Sequence, residues 1–85
     1  MITLTIKEKV VANKLTKFTT TIKVFKSTDI ARKFIKPIII EMDNAEKKGV
    51  QPKISIIGVS YELDSERRFL IETGALKTTG GIDGQ

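Results

Sequence analysis

Four carboxylates, in two close pairs, are the side chains with the most evident potential for acid–base or metal chemistry: Glu41 with Asp43, and Asp64 with Glu66. Residues two apart on a helix do not share a face, so Glu41 and Asp43 do not converge on one ligand. Asp64 and Glu66 lie in a predicted turn, where Asp commonly binds nearby backbone amides. Neither pair therefore predicts a catalytic or metal site.

The chain contains no histidine and no cysteine. These absences remove the commonest metal ligands, the commonest general base and the best nucleophile. The C-terminal stretch "TTGGIDGQ" lacks the Gly-Lys-Ser/Thr ending of a phosphate-binding loop. We therefore predict no enzyme activity, no catalytic residue, no metal, no cofactor and no small-molecule substrate.

Composition indicates one small domain of 85 residues with a net charge of +5. This charge favours anionic partners, although many small domains carry a similar charge for solubility alone. The N-terminal segment does not resemble a signal peptide, and no apolar run approaches the roughly 20 residues of a membrane helix. We expect a cytoplasmic protein that does not bind membranes.

The first 26 residues predict a β-hairpin. Both "MITLTIKEKVVA" and "KFTTTIKVFK" alternate apolar and polar side chains. In the second strand, the face expected to meet the core comprises Phe18, Thr20, Ile22 and Val24. Matching the two apolar faces places Ile22 opposite either Leu4 or Ile6, and the sequence does not choose between these registers. Either register leaves an odd-length loop, which fits a three-residue loop with Asn13 at or near a left-handed position.

A helix is predicted next, over "KSTDIARKFIKPIIIEMDNAEKKG". Ser27 or Thr28 can cap its start, and Gly49 can cap its end. Pro37 removes a backbone donor, so we expect either a kink near Lys36 or two short helices. The apolar stripe at helical spacing comprises Ile30, Ala31, Phe34, Ile35, Ile38, Ile39, Met42 and Ala45.

A second hairpin follows, from "KISIIGVSYEL" and "RFLIET", with a bulge at Gly58. The predicted fold is thus α+β: a single small β-β-α-β-β domain over residues 1–73, with the Pro-kinked helix on one face of a four-stranded mixed sheet. A β-grasp-like strand order of 2-1-4-3 is the preferred arrangement. The predicted core comprises Ile6, Ile22, Phe34, Ile38 and Ile56.

Residues 74–85 are interpreted as a flexible, glycine-rich tail. Its Gly80–Gly81 pair resembles the end of ubiquitin-like modifiers and sulfur carriers, but four residues follow that pair. A flexible tail is therefore the preferred interpretation, and the tail carries no functional assignment.

The second hairpin holds more large apolar side chains than one sheet face can bury. We expect the surplus to form an exposed patch that binds a partner, with Ile57, Tyr61 and Leu70 as anchors and Arg67 and Arg68 at its rim. The partner would be another protein or a second copy of the chain.

Arg32, Lys33 and Lys36 form a second candidate contact, because they place positive charge in the first half of the helix, where the helix dipole favours negative charge. Contact with an anion or an acidic protein explains this arrangement. Tolerance of exposed charge on a solvated helix explains it equally well.

The remaining candidate is a face rich in lysine and threonine on the first hairpin. As a sheet surface that follows a phosphate backbone, it would use Lys7, Lys9, Lys17 and Lys23. Only Phe25 would add an aromatic ring, at the edge of that face. We therefore prefer a small non-enzymatic protein-interaction module: an adaptor, inhibitor or self-associating accessory protein of the kind that phages and other mobile elements encode. Sequence-nonspecific nucleic-acid binding is the alternative.

Overall fold

The computed structural model describes residues 1–76. Its elements are β1 (Ile2–Ala12), β2 (Leu15–Phe25), α1 (Thr28–Lys48), β3 (Ile54–Ser60) and α2 (Asp64–Thr73). Strand β1 pairs antiparallel with β2 on one side and with β3 on the other, which gives the order β2-β1-β3. The protein is therefore a small α+β domain with a three-stranded antiparallel sheet and two helices. Neither helix within residues 1–76 is long and apolar enough to cross a membrane.

The predicted fourth strand is wrong, because "RFLIET" belongs to helix α2. Asp64 and Glu66 lie in the first turn of this helix, where the helix dipole favours negative charge. The side chain of Asp64 also accepts a hydrogen bond of 2.8 Å from Arg68, one turn later. Within residues 1–76 the sheet thus has three strands, and neither the mixed sheet nor the β-grasp order 2-1-4-3 forms.

Helix α1 has the predicted caps. The Ser27 hydroxyl accepts a hydrogen bond of 3.2 Å from the backbone N–H of Asp29. Gly49 ends the helix with φ of 69°, in the left-handed region that glycine tolerates best. Pro37 lies inside one continuous helix, so the alternative of two short helices is wrong. A kink near Lys36 stays a prediction.

The first hairpin has neither of the two predicted registers. Asn13 and Lys14 alone form the turn, with φ of 52° and 66°, which is the pattern of a two-residue type I′ turn. This even-length loop shifts the register by one residue, so that Leu4 lies opposite Lys23. Since opposed residues share a face, Ile2, Leu4 and Ile6 of β1 lie on one face of the sheet. Phe18, Ile22 and Val24 of β2 lie on the other face.

Helices α1 and α2 cover one face of the sheet, over β1 and β3. Strand β2 adds little to this core. Its Phe25 packs against Phe34, with ring centroids 5.2 Å apart. The buried core cluster comprises Ile2, Leu4, Ile6, Ala31, Ile35, Ile38, Phe69 and Leu70.

The predicted core is correct only in part. Ile6 and Ile38 are buried, while Phe34 and Ile56 are half-buried and pack against the core. Ile22 is wrong, because its side chain is 65% exposed. The cause is the register, which turns Ile22 away from the helices.

The packed chain continues beyond the predicted boundary at residue 73. Gly74 ends α2 with φ of 88°, and Ala75 and Leu76 pack against the core. The first three residues of the predicted tail therefore belong to the folded domain. The remainder, residues 77–85 with Gly80–Gly81, lies outside the described residues.

Glu66 is a charged residue buried in the fold. Its carboxylate accepts hydrogen bonds from the Met1 ammonium at 2.5 Å and from the backbone N–H groups of Glu62 and Leu63 at 3.0 and 2.9 Å. The ammonium first, and then these two amides, lower the pKa of Glu66 to about 2. Glu66 therefore joins the start of β1 to the start of α2.

We expect acid to weaken the fold through Glu66. A carboxylate with a lowered pKa stabilises the folded state above its ordinary pKa near 4.5, and this contribution is lost as the pH falls towards 2. The midpoint of thermal unfolding should therefore fall less steeply across this pH range in Glu66→Gln than in the wild type. Glu72→Gln, an exposed position on the same helix, is the control and should follow the wild type. If the unfolding midpoint falls equally with pH in the wild type and in Glu66→Gln, Glu66 does not cause the loss of stability in acid.

Candidate functional site

One face of the sheet has no helix over it within residues 1–76, and we call it the open face. Ile57 belongs to it, because it lines a shallow pocket together with Lys7, Phe18 and Ser55. The β-bulge at Ile57 and Gly58, close to the predicted position, places Ile57 on this side while Ile56 packs against the core. The open face comprises Thr3, Thr5, Lys7, Lys9, Val11, Thr16, Phe18, Thr20, Ile22, Val24, Ser55, Ile57, Gly58 and Ser60.

Large apolar side chains are exposed on the open face. Phe18, Ile22, Val24 and Ile57 are 43%, 65%, 54% and 56% exposed. Single exposed apolar residues are normal on any protein, but several on one face of a sheet are typical of an interaction surface. The sequence prediction placed Phe18, Ile22 and Val24 on the core side. The correct placement requires a two-residue turn at Asn13–Lys14, and the sequence does not mark that turn because lysine, not glycine, follows Asn13.

The predicted lysine and threonine face is divided between the two sides of the sheet. Lys7 and Lys9 lie on the open face, whereas Lys17 and Lys23 lie on the opposite side. The Lys7 ammonium lies 4.5 Å from the centre of the Phe18 ring, a cation–π contact. The four lysines predicted to contact phosphates therefore do not form one surface.

The net positive charge of the protein resides in its first hairpin. Residues 1–26 contain six lysines and one glutamate, whereas residues 27–85 contain nine basic and nine acidic residues. The single glutamate, Glu8, lies opposite Thr19 on the side of the helices. The open face thus carries Lys7 and Lys9 and no carboxylate, which favours a partner with negative charge.

The predicted anchors of the second hairpin do not form one patch. Ile57 and Tyr61 are exposed, but Leu70 is fully buried in the core. Leu70 is therefore wrong as a surface anchor, because α2 turns it towards the sheet and α1. Arg67 is half-buried, and Arg68 binds Asp64 on the exposed side of α2.

The basic residues of α1 lie near α2. The Arg32 guanidinium lies 5.0 Å from the centre of the Phe69 ring, so Arg32 has a structural contact within the domain. Lys33 and Lys36 are exposed. Arg32 and Lys36 line a shallow groove together with Ile39, Ile40 and Thr73.

Three of the four carboxylates considered for catalysis have structural partners. Glu41 accepts a hydrogen bond of 2.9 Å from the backbone N–H of Lys53, which holds the segment between α1 and β3. Asp64 binds Arg68, and Glu66 binds the Met1 ammonium. Within residues 1–76 no group of three or more carboxylates is placed to hold a metal ion. Glu41, Asp64 and Glu66 thus each hold a contact within the fold.

Comparison with protein-family models, with curated protein sequences and with solved structures finds no match to this chain. The class of protein therefore follows from the fold and the surface alone. It is a small α+β domain with an apolar, basic sheet face that neither of its helices covers.

Proposed function

We propose that the protein is a small non-enzymatic interaction module, an adaptor or inhibitor that binds another protein through the open face. The observation that carries this proposal is the exposure of Phe18, Ile22, Val24 and Ile57 on one uncovered face. Covering these side chains removes apolar surface from water, at roughly 25 cal/mol for each Å². A partner that covers them therefore gains affinity at a place where this chain leaves the surface open.

A foreign partner fits this surface better than a second copy does. Two hairpins that each carry six lysines and one glutamate repel one another across an interface. A partner with carboxylates beside its apolar contacts would instead attract Lys7 and Lys9. Self-association therefore ranks below binding of another protein.

Nucleic acid is the second candidate, because Lys7, Lys9 and the Phe18 ring lie together on the open face. Lysines beside an aromatic ring are the elements of a surface that binds single strands. The opposite placement of Lys17 and Lys23 limits this surface to two of the four lysines. Single-stranded DNA is accordingly a necessary comparison in any binding experiment.

We expect Ile22→Asp and Ile57→Asp to abolish capture of a partner protein from cells of the native host. An aspartate there places a charge where an apolar contact is needed. The matched control is Ile30→Asp, since Ile30 is 61% exposed on α1 and off the sheet. Mass spectrometry should identify a protein that wild type and Ile30→Asp retain and that both sheet variants lose. Equal retention by the sheet variants, with all proteins shown to be folded by circular dichroism, would refute the proposal.

A further inference from the structure

Within residues 1–76, strand β2 is an edge of the sheet along its eleven residues, Leu15–Phe25. Next to a two-residue turn the flanking residues form a hydrogen-bonded pair, and bonded and non-bonded pairs then alternate along the hairpin. Residues in the non-bonded pairs direct their N–H and C=O groups away from β1. In β2 these residues are Thr16, Phe18, Thr20, Ile22 and Val24.

This free edge has a different chemistry on each of its two sides. On the open face, β2 carries three apolar side chains, those of Phe18, Ile22 and Val24, together with two threonines. On the other side, Lys17 and Lys23 are exposed beside two further threonines, because the helices lie over β1 and β3. A strand added to this edge would therefore meet mainly apolar side chains on one face, and lysines and threonines on the other.

Charge limits which strand can be added. If two copies of β2 paired antiparallel about Thr20, Lys17 of each copy would face Lys23 of the other. Like charges directly opposite one another destabilise a strand pair. Lysines on an edge strand are also a known means of preventing such self-pairing. In contrast, an added strand with carboxylates opposite Lys17 and Lys23 would be attracted to this edge, because opposite charges stabilise a strand pair.

We propose that the β2 edge binds an extended acidic segment of another protein, which adds to the sheet as a fourth strand. In this segment, Asp or Glu faces Lys17 and Lys23, and the alternate residues are Val or Ile that pack beside Phe18, Ile22 and Val24. The main-chain hydrogen bonds provide affinity and the alternation provides specificity. The inference rests on the proposed function and specifies the chemistry of the partner.

The probe is a peptide of about nine residues, within the usual strand length, that alternates Glu and Val. A control peptide of the same composition places all Glu before all Val, so that it cannot present one residue type to each side. Binding is followed by fluorescence anisotropy at two salt concentrations. The alternating peptide should bind to the wild type. Its affinity for the Lys17→Glu/Lys23→Glu variant should be about tenfold lower, which corresponds to about 1.4 kcal/mol.

Amide hydrogen exchange, read by NMR, locates the peptide. In the free protein the amides of Lys17, Thr19, Thr21 and Lys23 should be protected by β1. The alternating peptide should add protection at the amides that point outwards, which are those of Thr16, Phe18, Thr20, Ile22 and Val24.

A backbone variant tests the edge directly. Thr20→Pro removes an outward N–H without removing a hydrogen bond to β1, which is where proline is tolerated in a sheet. This variant should lose peptide binding, whereas Thr20→Ser should keep it. If Thr20→Pro does not fold, the test is the hydrogen exchange of the wild type, in which the peptide should add protection at the outward amides of β2.

Several results would overturn the inference. These are no binding of the alternating peptide, equal binding of the block peptide, or binding without added protection at the outward amides. Tighter, salt-sensitive binding of oligothymidine would assign the surface to nucleic acid, and a dimer in sedimentation would assign the edge to a second copy. Binding through the open face and strand addition at the β2 edge can fail separately. If Ile57→Asp loses the host partner but the peptide adds no protection at the outward amides of β2, only strand addition is refuted. If the peptide adds this protection but Ile57→Asp retains the host partner, only binding through the open face is refuted.

Discussion

Leu70→Ala is expected to lower the free energy of unfolding by about 2–5 kcal/mol, the usual range for a buried leucine. Leu70 is fully buried in the core between α2, α1 and the sheet. A small domain has a total stability of about 5–15 kcal/mol, so this one truncation removes a large part of it. Chemical denaturation, followed by circular dichroism, measures the change.

Ile57→Ala is the matched control for Leu70→Ala, because both truncations remove a large aliphatic side chain. Ile57 is 56% exposed, and surface substitutions usually change stability by less than about 0.5 kcal/mol. The ratio between the two losses therefore tests which side chain lies inside. Two similarly small losses would mean that Leu70 is a surface residue and that residues 64–73 do not form α2 as described.

Most local structure was predictable from the sequence, and α2 shows why the rest was not. The alternation in "RFLIET" is short, and a short apolar run fits a strand and a helix equally well. The better signals came earlier in the segment. Asp64 and Glu66 suit the first turn of a helix, and Asp64 and Arg68 are spaced to meet across one turn. The predicted turn over "DSER" accounts for neither of these two features.

The register of the first hairpin depends on the type I′ turn at Asn13–Lys14, and the sequence carries no clear signal for this turn. Type I′ turns favour Asn-Gly, because both central residues need positive φ. Here Lys14 occupies the second position with φ of 66°, a conformation that is uncommon for lysine. Matching apolar faces also presumes that one face of both strands is buried. The helices cover mainly β1 and β3, and Phe25 at the end of β2 packs against α1. The rest of β2 is free from that constraint.

The candidate site follows from this same register and was therefore predicted only in part. Ile57 and Tyr61 are exposed as expected, and Lys7 and Lys9 share one face. The alternation in the second strand predicts instead that Phe18 and Ile22, in the apolar half of the open face, lie in the core. A one-residue shift exchanges the two faces of a strand, so an error in the turn became an error in the site.

The register can be tested by truncating one side chain on each strand. Leu4→Ala should destabilise the protein by about 2–5 kcal/mol, because Leu4 is fully buried beneath the helices. Ile22→Ala should cost far less, since Ile22 is 65% exposed on the open face. In one of the two registers expected from the alternation, these residues would face each other in a shared core and both losses would be large.

The double variant Leu4→Ala/Ile22→Ala strengthens this test. Side chains on opposite faces of a sheet do not touch, so the two losses should add within about 0.3–0.5 kcal/mol. Residues in direct contact would instead show a coupling of about 0.5–3 kcal/mol. Large and coupled losses would place Ile22 in the core and remove the apolar half of the open face, together with the partner surface proposed there. Unequal and additive losses, measured by denaturation of all four proteins in one buffer, would place Ile22 outside the core, where a partner can reach it.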